Sequence, residues 1–559
     1  MADRRRVLIA LAIFLAVVVL CGSAVAVVGF LFRDQLLALF QGTQARQAAE
    51  ILPEGTEVLV SLDLAILDHE DFRNLQEIYL DNPDVRSALD DLDRILQEGA
   101  DISIEEDIQP WIGSQVVLAV PSLRDIVRAT IVPPDVVVAA ATRDREASDR
   151  FVAKLLAAEE REGRSYDEED YQGVTLYVRQ TSADEAVLAT FSDWVVGSNS
   201  VRLVKEMVDL AVGTDDRPSL ADNPAYGRVL SLLPAGPRVT FFLAPSDIIE
   251  SLSRLSPVEF PQEQTQDLEA LEAAAVAGTF QGEGIRFDAV ATYDVERMTD
   301  RVRSALEQPA SPNAVLQNVP ADALLVLNGQ NLSTVWSQVA QGLEGTPDFE
   351  ETLADLEASL GFNIEEDVFS WMTGEWAFVL VEAPSPDPTV PPVGAYALIG
   401  TDDVEEARRR VENVIGAFGP LALFLFEEET IGGVEMTVFT DEDGRFLVGY
   451  GFFEEYFLIA YLEESAVAAT GASRNPLTDS LSFRAMRDRL PSPNTGYVYA
   501  NVDSLRELLA AELSGAELRD YKENAEPFLE PIHAVGSAGE AGTGAEGIIR
   551  AVLFVLVGS

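Results

Sequence analysis

Residues 7–32 contain no charged side chain. Twenty-six apolar positions are enough to span a bilayer with some tilt. After this segment the pattern changes to apolar runs of four to eight residues, rich in β-branched and aromatic side chains, with amphipathic stretches between them. Strand-like runs fall at 58–62, 116–120 and 136–141, and again at 324–327, 376–381 and 395–400. Helical patterns fall near 75–96 and 146–157, and again near 335–360 and 404–417. Residues 278–293 and 534–557 read as hairpins. Successive strands joined by short or flexible loops imply antiparallel pairing. The predicted class is α+β: a mainly antiparallel sheet with helices on one side, present in two tandem copies after one transmembrane helix.

The duplication rests on ordered matches. Ile104-Glu105-Glu106-Asp107-Ile108 leads three residues on to Trp111, and Ile364-Glu365-Glu366-Asp367-Val368 leads at the same spacing to Trp371, 260 positions later. Gly113 and Gly374 follow. Gly173-Val174 matches Gly433-Val434, and Asp222, Tyr226, Leu233 and Pro234 match Asp479, Phe483, Leu490 and Pro491. A feature of the fold should recur in both copies, whereas a feature of one site need not. The expected organisation is a cytoplasmic N-terminus at 1–6, an anchor at 7–32 and a juxtamembrane helix or stalk at 33–50. A first repeat at 51–306, a linker at 307–318 and a second repeat at 319–559 follow.

Arg4, Arg5 and Arg6 precede the apolar run, while Arg33 beyond it is offset by Asp34. The positive-inside bias therefore predicts an N-terminus inside and the bulk of the chain outside the cytoplasmic membrane. Ala24-Val25-Ala26 resembles a signal-peptidase site, yet the apolar run continues to Phe32, which favours an uncleaved signal anchor. Lipidation at Cys21 would want a small residue where Leu20 stands. With that single cysteine the chain has no structural disulfide, in keeping with a bacterial envelope protein.

Charge sharpens the picture. The chain carries 94 acidic and 39 basic residues, a net charge of −55. Such a surface repels nucleic acid and anionic headgroups and favours cations and basic partners. The oligomeric state is not legible.

The acidic motifs are read first as structure. Ser103-x-x-Glu106 and Asn363-x-x-Glu366 fit capping boxes, with acidic residues suited to a helix N-terminus. Ile104, Ile108 and Trp111 then share one face, as do Ile364, Val368 and Trp371. Neither segment has the alternating ligands of a calcium loop. The runs 167–170 and 427–429 and the turn at 441–444 read as solvated loops, at most weak calcium binders. Gly542-Thr543-Gly544-Ala545-Glu546-Gly547 imitates a dinucleotide fingerprint but precedes a strand where a helix is required. His69 and His533 occupy unmatched positions, and no zincin pair, nucleophile elbow, Walker lysine or Ser-x-x-Lys occurs. No cofactor is expected.

The apolar N-terminal run, the strand opening Leu52-Pro53-x-x-Thr56 and the segment IEEDI-x-x-Trp111-Ile112-Gly113 together resemble an uncharacterised bacterial group, domain-of-unknown-function family 3352. The second copy departs from the pattern where Thr373 separates Met372 from Gly374. The resemblance implies a membrane-anchored envelope protein and lends no catalytic residue. The expected function is a non-catalytic, single-pass, extracytoplasmic binding or scaffold protein that meets the bilayer through one helix and has an envelope protein or a cation as partner. Its rivals are a carboxylate-dependent envelope hydrolase and a carrier holding an apolar ligand in a sheet–helix groove.

Overall fold

The computed structural model describes residues 48–558 apart from 69, 75–93, 95–96, 98–100, 123–133, 181–184, 214–216, 237, 246–268, 300–302, 304–305, 308, 344–346, 384–391, 419–424, 441–443 and 472–473. The expected anchor at 7–32, nearly all of the expected stalk, most of the helical stretch near 75–96, His69 and residues 441–443 lie outside the described residues. Among the described residues no helix is long and apolar enough to cross a membrane. The chain divides into two compact units, one ending at Arg297 and the other running from Met298 to Val557.

The N-terminal unit contains β1 (Val58–Asp63), β2 (Ile112–Val120), β3 (Val137–Thr142), α1 (Arg145–Arg161), β4 (Asp167–Tyr171), β5 (Val174–Gln180), β6 (Glu185–Phe191), β7 (Trp194–Ser198), α2 (Val201–Val212), α3 (Pro224–Ser231), β8 (Val239–Leu243), β9 (Leu271–Phe280) and β10 (Gly284–Tyr293). Its strands pair antiparallel in the order β4-β5-β6-β7-β3-β2-β1-β8-β9-β10. Local chemistry sets the helix limits. The Ser200 hydroxyl accepts from the Leu203 N–H to open α2, and Gly213, in the left-handed region, closes it. Leu203, Val204, Met207 and Val208 form its buried stripe. Asn223 caps α3 ahead of Pro224, and Tyr226 then meets Phe242 edge-on at 4.9 Å.

The C-terminal unit contains β11 (Leu325–Gln330), α4 (Leu332–Leu343), α5 (Pro347–Leu360), β12 (Glu375–Glu382), β13 (Val393–Gly400), α6 (Val404–Phe418), β14 (Leu425–Ile431), β15 (Val434–Thr440), β16 (Phe446–Phe453), β17 (Tyr456–Tyr461), α7 (Glu463–Gly471), α8 (Leu481–Arg487), β18 (Asn494–Asn501), α9 (Val502–Glu512), α10 (Gly515–Asn524), α11 (Glu526–Leu529), β19 (Ile532–Glu540) and β20 (Ile548–Val557). Pairing is again antiparallel, in the order β14-β15-β16-β17-β13-β12-β11-β18-β19-β20.

Two sequence expectations change here. The helices of this unit do not lie on one side of the sheet. Tyr396 and Leu398 of β13 join a core with Ala466 of α7 and Phe483 of α8. Ala397 and Ile399, which point the other way, join Ala407 and Val411 of α6. Side chains alternate across a strand, so a near-continuous apolar run such as 395–399 demands cover on both faces. The stretch expected as a linker is also structural: Val315 and Leu316 lie in the first of these cores. Asn313 donates to Asn494 at 3.2 Å and accepts from Asn328 at 2.8 Å, and Ser311 donates to Glu375 at 2.7 Å.

The acidic runs differ as well. Residues 167–170 lie in β4 and 427–429 in β14, so both are strands. Among the described residues each pairs on one side only, with β5 and β15. Charged side chains on such outer strands discourage pairing with another chain.

Gly496 sits at a register shift of β18 with φ +132°, and a Cβ there would fall 2.0 Å from the Asn328 carbonyl oxygen. Gly496→Ala should therefore lower stability by about 1–3 kcal/mol through strain and crowding. A urea melt of the full chain checks this; an unchanged midpoint would refute the close approach.

Candidate functional site

The duplicated acidic segments are π-helical turns, Ile104–Ile108 and Ile364–Phe369. As expected, the Ser103 hydroxyl accepts from the Glu106 N–H at 3.4 Å and the Asn363 carbonyl oxygen from the Glu366 N–H at 2.7 Å. The reciprocal half of the expected capping box is different. Asp107, not Glu106, accepts from the Ser103 N–H at 2.8 Å, and Asp367, not Glu366, accepts from the Asn363 N–H at 2.8 Å. The wider turn presents the fourth residue after the cap, where a standard helix presents the third. Glu105, Glu106, Glu365 and Glu366 point to solvent.

Each turn seats its tryptophan. Trp111 is buried, its indole N–H donates to the Asp107 carbonyl at 2.8 Å, and its ring meets Phe151 at 5.0 Å. Trp371 is buried edge-on to Phe457 at 5.6 Å. Ile104 is buried, whereas Ile364 is half-buried. A Cβ on Gly113 would lie 3.0 Å from the Ala141 carbonyl, and one on Gly374 would lie 2.7 Å from the Gly400 carbonyl carbon. Trp111, Gly113, Trp371 and Gly374 are therefore joints between turn and sheet.

Among the described residues no three His, Cys, Asp or Glu side chains converge on a metal position. His533 is held by Asp503, Nδ1 to Oδ2 2.9 Å. Gly542–Gly547 connects β19 to β20 through a short 3₁₀ turn, Gly544–Glu546.

The site the sequence left unnoticed lies in the C-terminal unit. A cleft of about 340 Å³ opens between α6 and strands β14 to β16. Its floor is aromatic and its rim acidic. Tyr450 and Phe452 are half-buried, and Glu412, Glu428 and Glu435 are exposed around them; Glu429 opposes Met436 and points to the other face of the sheet. The ladder aligns Glu428, Thr437 and Tyr450 in one row, because Glu428 opposes Thr437 and Thr437 opposes Tyr450. In β16, Gly449 and Gly451 alternate with these aromatics, so the rings face the cleft while bare backbone lies against Met436. Arg408 of α6 lies over the Phe452 ring, 4.5 Å from its centre, within cation–π range. Glu412, Glu428 and Glu435 form no ion pair among the described residues.

The N-terminal unit treats its outer acids differently. Lys205 binds Glu169 at 2.5 Å, and Arg164 and Arg179 bind Glu159 at 2.7 and 3.0 Å. Arg164 is the leading cause that brings the Glu159 carboxyl below its ordinary range, against an opposing push from burial. The 427–429 run was visible in the sequence, but Arg408, Glu412, Glu435, Tyr450 and Phe452 were not singled out. The available signal was the Gly-Tyr-Gly-Phe alternation of β16.

A family profile described as "Protein of unknown function (DUF3352)" matches residues 13–546. No curated protein matches the chain. Among solved structures, crystal form III of TP0453 is similar at 10% identity over 47% of this chain and 87% of that one, with a TM-score of 0.25. Crystal form IV of TP0453 gives 13% identity over 44% and 79%, with a TM-score of 0.24. Likenesses this low carry no argument about function.

The turn of the first unit has an electrostatic signature. Burial pushes the Asp107 carboxyl up, but the Lys154 ammonium at 2.6 Å and the Ser103 N–H outweigh it and hold the group below its ordinary range. The folded-state value is thus the lower one. The stabilisation is present above the unfolded value near pH 4 and fades as pH falls through the folded value. Asp107→Asn should cost about 0.5–1 kcal/mol at neutral pH, allowing for solvent screening, with the gap to the parent closing in acid. Urea melts across pH check this; a gap independent of pH would contradict it.

Proposed function

We propose that this chain, which belongs to the family Protein of unknown function (DUF3352), is a non-catalytic, membrane-anchored, extracytoplasmic binding protein that takes a cationic partner in the cleft of its C-terminal unit. The observation that carries this reading is the set of three glutamates without ion pairs among the described residues, Glu412, Glu428 and Glu435, beside Tyr450 and Phe452. Exposed like charges that outnumber the one cation lining the cleft among the described residues, Arg408, raise the local affinity for a further cation.

The reading includes two tandem copies of one fold. It is supported by the strand order, which in each unit places the fourth-to-seventh strands on one flank, the third, second and first beside them and the eighth to tenth on the other flank. The anchor is supported by the uncharged run at 7–32 and the three arginines before it. The N-terminal copy would then serve chiefly as scaffold, because Glu169 and Glu159 there are held by Lys205, Arg164 and Arg179.

Two measurements test this. A reporter active only outside the cytoplasm, fused after Ser559, should be active while the protein keeps its full-length mass; an inactive reporter would overturn the orientation. In calorimetric titration, the full chain should bind a lysine-containing peptide at low ionic strength. Replacing Glu412, Glu428 and Glu435 together by glutamine should weaken binding about tenfold or more. Equal binding by parent and variant would refute the cleft as the site.

A further inference from the structure

We infer that the cleft takes a guanidinium group, presented as an exposed arginine side chain of a partner polypeptide. This rests on the cation-binding reading above and names the cation.

Size and ligand geometry argue against a bare metal ion. A hard cation needs six to eight oxygens at about 2.3–2.6 Å. Here the cleft measures about 340 Å³, and its carboxylates come from α6, β14 and β15 without converging. The aromatic floor then separates the organic cations. An ammonium is compact and strongly hydrated, so it gains most from the acidic rim and little from the rings. A guanidinium is planar and weakly hydrated: its face stacks on an aromatic ring while its edge donates to carboxylates. The cleft offers both surfaces together, Tyr450 and Phe452 below and three carboxylates, Glu412, Glu428 and Glu435, with the Thr437 hydroxyl around them. Arg408 already demonstrates this docking mode, with its guanidinium carbon 4.5 Å from the centre of the Phe452 ring. The carboxylates stand at the exposed rim, so an arginine on another chain's surface reaches the floor without entering a closed cavity.

The duplication supplies an internal control. Met436 opposes Gly451, as Leu176 opposes Ala189 in the other unit. The positions of Tyr450 and Phe452 are therefore held there by Leu188 and Thr190. Arg408 stands five residues after Asp403, which caps α6, and Asp149 stands five residues after Asp144, which caps α1. The paired rings of Tyr450 and Phe452 and the guanidinium over Phe452 thus occur in one unit only; strands β5 and β6 of the other unit carry a single ring on that face, Tyr177, where Thr437 stands here. This is the behaviour of a binding feature, since a requirement of the fold would recur.

The test is calorimetric titration of the full chain with two capped peptides that differ only in one central arginine or lysine, and with methylguanidinium. The arginine peptide should bind roughly threefold to fivefold tighter than the lysine peptide, the advantage of a stacked cation at an exposed site. Phe452→Leu should bring the ratio of the two peptide affinities close to one, whatever its effect on overall affinity. Arg408→Gln, at an exposed helix position, should tighten the arginine peptide by removing a competing guanidinium. Equal affinities for the two peptides, a preference that survives Phe452→Leu, or no tightening in the Arg408 variant would overturn the inference while leaving cation binding intact. Methylguanidinium binding as tightly as the arginine peptide would overturn the polypeptide source. Failure of both peptides to bind would overturn the underlying reading itself.

Discussion

Charge repulsion is the constraint to which the rest of this structure answers. With 94 acidic side chains against 39 basic ones, the fold must keep carboxylates apart, spend its few cations well and still close a neutral core. It puts acids on outer strands and in the first turns of helices, where solvent or backbone N–H groups take up the charge. Cations are spent at joints. Lys154, one of three lysines, fastens the first π-helical turn through Asp107, and Lys205 fastens the outer strand β4 through Glu169. Within that economy, Glu412, Glu428 and Glu435 line one cleft with Arg408 as its only cation among the described residues, a local excess of negative charge.

The sheets make the imbalance possible. In the C-terminal unit the strands carry apolar side chains on both faces, so helices close both. One core gathers Val379, Leu398, Phe483 and Phe554, and another on the opposite face gathers Trp371, Ile399 and Val411. Fixing α6 through that second core also fixes Arg408 and Glu412 at the mouth of the cleft. The floor therefore depends on packing that lies outside it, and the rim is free to carry unneutralised charge because nothing in the core relies on it.

Much of this architecture was legible in the sequence. Apolar runs rich in β-branched residues located β1, β2, β3 and their later counterparts to within a few residues, and the amphipathic patterns near 146–157 and 404–417 located α1 and α6. The apolar run 395–399 already implied burial on both faces, although one-sided packing was expected. Other features were hidden for physical reasons. The acidic strands β4 and β14 look like loops because their carboxylates mask the strand pattern. The π-helical turns look like ordinary helix starts because Ser103 and Asn363 make the same first bond in either geometry, and only the reciprocal bond reveals Asp107 and Asp367. The cleft joins residues from 408 to 452 across a helix and three strands, a proximity set by ladder register, which no local spacing encodes.

The central claim is that one unit carries a cation-binding cleft and the other does not. A crystal structure of the full chain bound to an arginine-containing peptide tests it most directly. The account predicts a guanidinium lying on the aromatic floor of the C-terminal cleft, among Glu428, Glu435 and Tyr450, and no peptide at the corresponding place in the N-terminal unit. A peptide bound in both units alike, or seated away from the cleft, would contradict it.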